Sequence, residues 1–160
     1  MRFVLVSFVA LMLLSCTGAA DTPADQLARE QAFEESMRGT VLDGHFTLVR
    51  LDGDPSGAEG GGDAARLRSE RYEIEKVVKR SANVWTFHAR IQFGNTDVTL
   101  PVPVKLTWAD DTPVVSVTDL GLPGLGSYTA RGLFYGDSYA GTWSGGTHGG
   151  SMFGRLERTE

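Results

Sequence analysis

The stretch Val84-Trp85-Thr86-Phe87-His88-Ala89-Arg90-Ile91-Gln92-Phe93 sets the fold, because its apolar residues at odd positions alternate with Thr86, His88, Arg90 and Gln92. A period of two sends successive side chains to opposite faces, so this is a strand with one face in a core and the other in water. Asp97 to Trp108 repeats the pattern, with Val98, Leu100, Val102, Val104, Leu106 and Trp108 set against Thr99, Pro101, Pro103, Lys105 and Thr107. Pro101 and Pro103 lack an N–H whichever face their rings take, so this stretch is an edge, a bulge or a bent strand.

Working outward, the same signal predicts strands over residues 41–51, 71–80, 113–120, 127–135, 138–144 and 151–157. Between them lie turn residues: Ser81-Ala82-Asn83, Gly94-Asn95, Asp110-Asp111, Leu122-Pro123-Gly124, Gly136-Asp137 and Gly145-Gly146. About eight strands joined mostly by hairpins make an antiparallel meander, which closes or nearly closes into a β-barrel and so removes exposed edges. A β-sandwich is the alternative, and no crossover helix is present for a parallel sheet. One short helix precedes the strands. Thr22 caps it, Pro23 occupies its first position, Asp25 lies in its first turn and Gly39 ends it. Phe33 and Met37 stand one turn apart while Leu27 lies well round the cylinder, which predicts a weakly docked stalk.

A chain of 160 residues holds one such domain. Its 15 basic residues against 20 acidic ones provide no basic face for a phosphate backbone, so nucleic acid is not an expected partner. Ahead of the helix, Arg2 precedes an apolar run from Phe3 to Leu14, which is too short to span a bilayer and reads as a signal peptide over residues 1–15. The run ends in Leu13-Leu14-Ser15-Cys16, and Cys16 is the one cysteine of the chain.

These four residues resemble the bacterial lipoprotein box. The resemblance implies that Cys16 receives diacylglycerol, becomes the new N-terminus and anchors an exported protein in the cell envelope by its lipid. Small exported bacterial lipoproteins of unknown function share this delivery signal. Cleavage after Gly18-Ala19-Ala20, giving a soluble periplasmic or secreted protein, is the alternative. The expected organisation is a signal over 1–15, a lipid-attached tether and helix over 16–39, and a β domain over 40–160 with a flexible loop at 52–69.

That loop holds the sharpest local motif. Asp52, Asp54, Ser56, Gly57 and Asp63 match the ligand spacing of a calcium loop. Glu59 stands where an apolar residue belongs, however, and Gly60 to Gly62 make ordering costly, so a solvated linker is the favoured reading. His45, His88 and His148 share no ligand spacing, and neither Ser138 nor Ser144 completes a nucleophile elbow. Glu70, Glu73 and Glu75, interspersed with Lys76, Lys79 and Arg80, read as a wet face balanced by cross-strand cations. No catalytic residue, metal or cofactor is expected from these patterns.

The last third interleaves Tyr128, Phe134, Tyr135, Tyr139, Trp143 and Phe153 with glycines. Aromatic rings cover strand glycines where a sheet must bend, so barrel closure is the favoured use, ahead of a sugar-stacking surface. Gly44-His45-Phe46 resembles the Gly-x-Trp start of the lipocalin or calycin group, with Arg155 in the position of the arginine that caps that aromatic. The resemblance implies an apolar small molecule inside the barrel, with Phe46, Trp85, Phe87, Ile91, Leu100 and Val102 pointing inward. The function expected is a non-enzymatic envelope lipoprotein that binds a small ligand or serves as an interaction module. A secreted β-sandwich binding glycan or protein, and a hydrolase with unplaced residues, are the alternatives.

Overall fold

The computed structural model describes residues 21–51 and 66–158. Helix α1 (Pro23–Met37) leads into eight strands: β1 (Thr40–Arg50), β2 (Arg66–Ser81), β3 (Val84–Phe93), β4 (Thr96–Ala109), β5 (Thr112–Leu122), β6 (Gly126–Tyr135), β7 (Ser138–Gly145) and β8 (His148–Arg158). Each strand pairs antiparallel with the next, and β8 returns to β1, so the sheet is a closed meander barrel and not a sandwich. Odd residues of β3 and even residues of β4 fill the interior, where Trp85, Phe87, Ala89, Ile91, Val102, Val104 and Leu106 are buried. Outside, Arg71 pairs with Asp43 at 2.9 Å and Arg90 with Asp97 at 2.7 Å. An apolar interior under a charged exterior reverses the pattern of barrels that stand in a membrane.

Helix α1 is a plug, and the expectation of a weakly docked stalk is corrected. Its start is a capping box: Thr22 Oγ1 accepts from the Asp25 N–H at 3.2 Å, and the Thr22 N–H donates to Asp25 Oδ2 at 3.1 Å. Phe33 lies edge-on to Trp85 at 5.9 Å and to Trp108 at 5.8 Å, and it also meets Phe87 and Phe134. Two anchoring residues one turn apart, Phe33 and Met37, suffice because both enter the barrel end, while Leu27 stays exposed. Lys79 Nζ donates to the buried Glu30 carboxylate at 2.5 Å, and the Lys79 N–H donates to Glu34 at 2.9 Å.

Two irregularities shape the walls. In β2 the register slips between Ile74 and Lys76, so the inward parity passes from Glu70, Tyr72 and Ile74 to Val77. The second lies between β4 and β5, which pair only from Lys105↔Ser116 to Ala109↔Thr112. The Leu106 N–H donates to the Asn83 carbonyl on the β3 side. Alternation then turns the odd residues of β4 toward β5, and Pro103 and Pro101 come next along that edge with no N–H to offer. Opposite them β5 bulges between Val117 and Leu120, with Asp119 at φ 50°. Arg131 fills the bulge, donating to the Val117 carbonyl at 2.5 Å and to Thr118 Oγ1 at 3.1 Å. The proline-bearing part of β4 is therefore an edge on its β5 side, and a seam runs from Pro103 to the barrel end remote from α1.

The strand pattern matches the sequence reading element by element, with two starts displaced by three residues or more, and β8 begins at His148 instead of residue 151. Strand β2 starts at Arg66, because pairing of Leu48 with Arg66 and Thr47 with Leu67 extends it into what reads as loop.

Candidate functional site

The barrel is not filled. A cavity of about 600 Å³ runs from the plug toward the remote end, walled by Leu42, Ile74, Phe87, Ile91, Val102 and Val115 among others. Its size falls within the ~300–1,000 Å³ of small-molecule sites. Near the remote end the wall is aromatic: Phe46 lies edge-on to Trp143 at 5.5 Å and to Phe93 at 6.2 Å, and Tyr128 approaches both Phe93 and Trp143. Next to the seam the lining continues through Val117, Leu120, Leu122 and Leu125.

One carboxylate stands in this apolar wall. Glu70, only 4% exposed, lies on the inward face of β2. Tyr72 donates its hydroxyl to Glu70 Oε2 at 2.8 Å, and Tyr139 donates to Oε1 at 2.8 Å. Tyr139 comes from β7, three strands away. The register explains the reach: Tyr139 pairs with Gly154, Gly154 with Gly44, and Gly44 with Glu70, a single row around the barrel. With no side chains on the two intervening strands, the Tyr139 ring lies across them; a Cβ on Gly154 would sit 2.6 Å from its Cε1, and one on Gly44 would collide with its hydroxyl. These glycines are thus needed for close approach, and an aromatic ring covers them.

Burial pushes the Glu70 carboxyl above its ordinary value, against the downward pull of the Tyr72 and Tyr139 hydrogen bonds. Burial beside that carboxylate raises both phenols in turn. The pair therefore acts as donors throughout the physiological range, and Glu70 as the titrating group.

The inward set expected from the lipocalin resemblance points inward. Phe46, Phe87, Ile91 and Val102 line the cavity, while Trp85 and Leu100 pack in the core beside it. Arg155 is not brought to Phe46: it is exposed at the level of Asp43, whereas Phe46 points inward at the level of Met152. The histidines stay apart. His45 stacks on Phe153 outside the barrel, His88 faces outward between Lys76 and Pro101, and His148 sits at the remote end of the cavity. Among the described residues no three His, Cys, Asp or Glu side chains form a metal-binding group. Glu73 pairs with Arg71 at 3.3 Å on the outer face, as the wet-face reading requires. Of the aromatics that could form a glycan platform, Tyr128, Phe134, Tyr139 and Trp143 turn inward, leaving Tyr135 and Phe153 exposed.

The structure separates Glu70, buried in the cavity wall, from Glu73 and Glu75, with which the sequence pattern places it on one solvated face. Counting by twos places Glu70 with Tyr72 and Ile74, opposite Glu73, and that parity was the available signal. Cys16 and the calcium-loop residues Asp52, Asp54, Ser56 and Asp63 lie outside the described residues. Among the described residues no helix is long and apolar enough to cross a membrane. Compared with known proteins, the chain matches no family, no curated protein and no solved structure.

Proposed function

We propose that this protein is a non-enzymatic lipoprotein of the cell envelope, held by lipid on Cys16, whose β-barrel binds a small apolar ligand. The observation that carries the reading is the unfilled apolar cavity of about 600 Å³ inside a closed barrel plugged at one end. A cavity of this kind loses the dispersion contacts of its lining, and an apolar occupant restores them while leaving water. The delivery half of the reading rests on the apolar run that ends at Cys16. A hydrolase would need a second carboxylate or a histidine beside Glu70; its hydrogen-bond partners among the described residues are two tyrosines.

The test is titration of the purified full chain with the neutral apolar dye N-phenyl-1-naphthylamine. Saturable fluorescence enhancement at one dye per chain is expected. A linear response without saturation overturns the reading.

A further inference from the structure

Glu70 is the one charged side chain buried within the apolar wall among the described residues, and the two phenols it accepts from leave part of its acceptor capacity unused. The cationic side chains of the lining, Arg68 and His148, stand toward the remote end, and Arg68 is exposed. The groups around Glu70 are otherwise Tyr72 on its own strand and Tyr139 from β7, with His45 and Asp43 of β1 on the outer face of the sheet. Resting on the ligand-binding reading above, we propose that Glu70 is the headgroup seat of the cavity and that the ligand class is an apolar amine, an alkyl or aryl body carrying one ammonium group.

The argument is one of unfilled valence and unpaired charge. A carboxylate has about four acceptor positions, and the two tyrosines occupy one on each oxygen. They supply hydrogen bonds but no positive charge, and His45, the smallest of the influences on the carboxyl, acts from the outer face of the sheet, so ionised Glu70 sits in low dielectric with no counter-ion on the cavity side, a costly arrangement. An ammonium group supplies both the counter-charge and the missing donors. A ligand carboxylate would instead set a second anion beside the first, and a hydroxyl would supply a donor without charge. The tyrosines are held as donors by their raised pKa values, so they favour the ionised form of Glu70 that an ammonium needs.

Competition against bound N-phenyl-1-naphthylamine tests this, with dodecylamine, dodecanol and dodecanoate as competitors at pH near 7. Dodecylamine should displace the dye from the full chain at a concentration about tenfold or more below that of dodecanoate, the ratio expected of one charge-assisted hydrogen bond. Glu70→Gln should bring amine and carboxylate within about threefold of each other while leaving dodecanol little changed, which also reports that the variant folds. A second readout needs no variant: in the wild type, amine affinity should rise with pH as Glu70 ionises, while dodecanol affinity stays flat. Equal competition by amine and carboxylate, an amine preference that survives Glu70→Gln, or a flat amine profile overturns the inference while dodecanol binding leaves the apolar-ligand reading standing. Failure of all three competitors to displace the dye removes that reading, and this inference with it.

Discussion

At the scale of single residues, the row Tyr139–Gly154–Gly44–Glu70 ties barrel closure to the polar point of the cavity. A methyl on Gly44 would fall onto the Phe153 carbonyl and the Tyr139 hydroxyl, and within 2.7 Å of the Gly154 Cα. Gly44→Ala should therefore destabilise the barrel by about 1–3 kcal/mol, read by chemical unfolding; an unchanged midpoint would mean that the ring does not lie across the two strands. The Glu70 carboxyl makes a second prediction through its proton. Its folded pKa is raised above the ordinary 4.5, so between 4.5 and the raised value the native state keeps a proton that the unfolded chain has lost. Stability then falls as pH rises through that window, and the loss is complete above the folded pKa. Glu70→Gln lacks this slope, so its stability relative to wild type should improve as pH rises through the window; a difference constant with pH would contradict the assignment. Glu70 was within reach of the sequence by parity. The reach of Tyr139 was not, because it depends on which residues of β8 and β1 come between, and register across a closing seam is not written in either strand alone.

At the scale of elements, the prolines of β4 and the bulge of β5 act on the same edge. Even residues of β4 direct their N–H groups to β3, and odd residues direct theirs to the seam, so amide exchange along β4 should alternate. Val98, Leu100 and Val102 should be protected, while Asp97 and Thr99 exchange fast; uniform protection would show that β5 stays zipped to β4 past Lys105. The missing donors of Pro101 and Pro103 made an edge legible in the sequence, but not which neighbour it would lose. Helix α1 shows the opposite case, in which a broken apolar stripe understated the docking because only Phe33 and Met37 enter the barrel. Phe33→Ala removes a ring in contact with Trp85, Phe87, Trp108 and Phe134 and should cost about 3–5 kcal/mol. A loss under about 1 kcal/mol would return α1 to the role of a loose stalk.

At the scale of the whole molecule, two-residue periodicity and hairpin chemistry carried the eight-strand meander, since each turn forces its strands to be antiparallel neighbours. Whether the interior would be filled was not legible, because eight strands enclose a space that side chains either occupy or leave open. That choice rests on residues such as Ala89, Ala130 and Gly132, whose small size matters only once they face one another across the cavity. Delivery makes its own prediction: Cys16→Ser should move the protein from the membrane fraction to the soluble fraction, and unchanged sedimentation would remove the lipid anchor. The central claim, that the ligand lies inside the barrel, is tested most directly by filling the cavity. Ala130 lines it from β6, so Ala130→Phe should keep the wild-type circular dichroism while weakening N-phenyl-1-naphthylamine binding by about tenfold or more. A folded Ala130→Phe chain that binds the dye as wild type does would contradict the account.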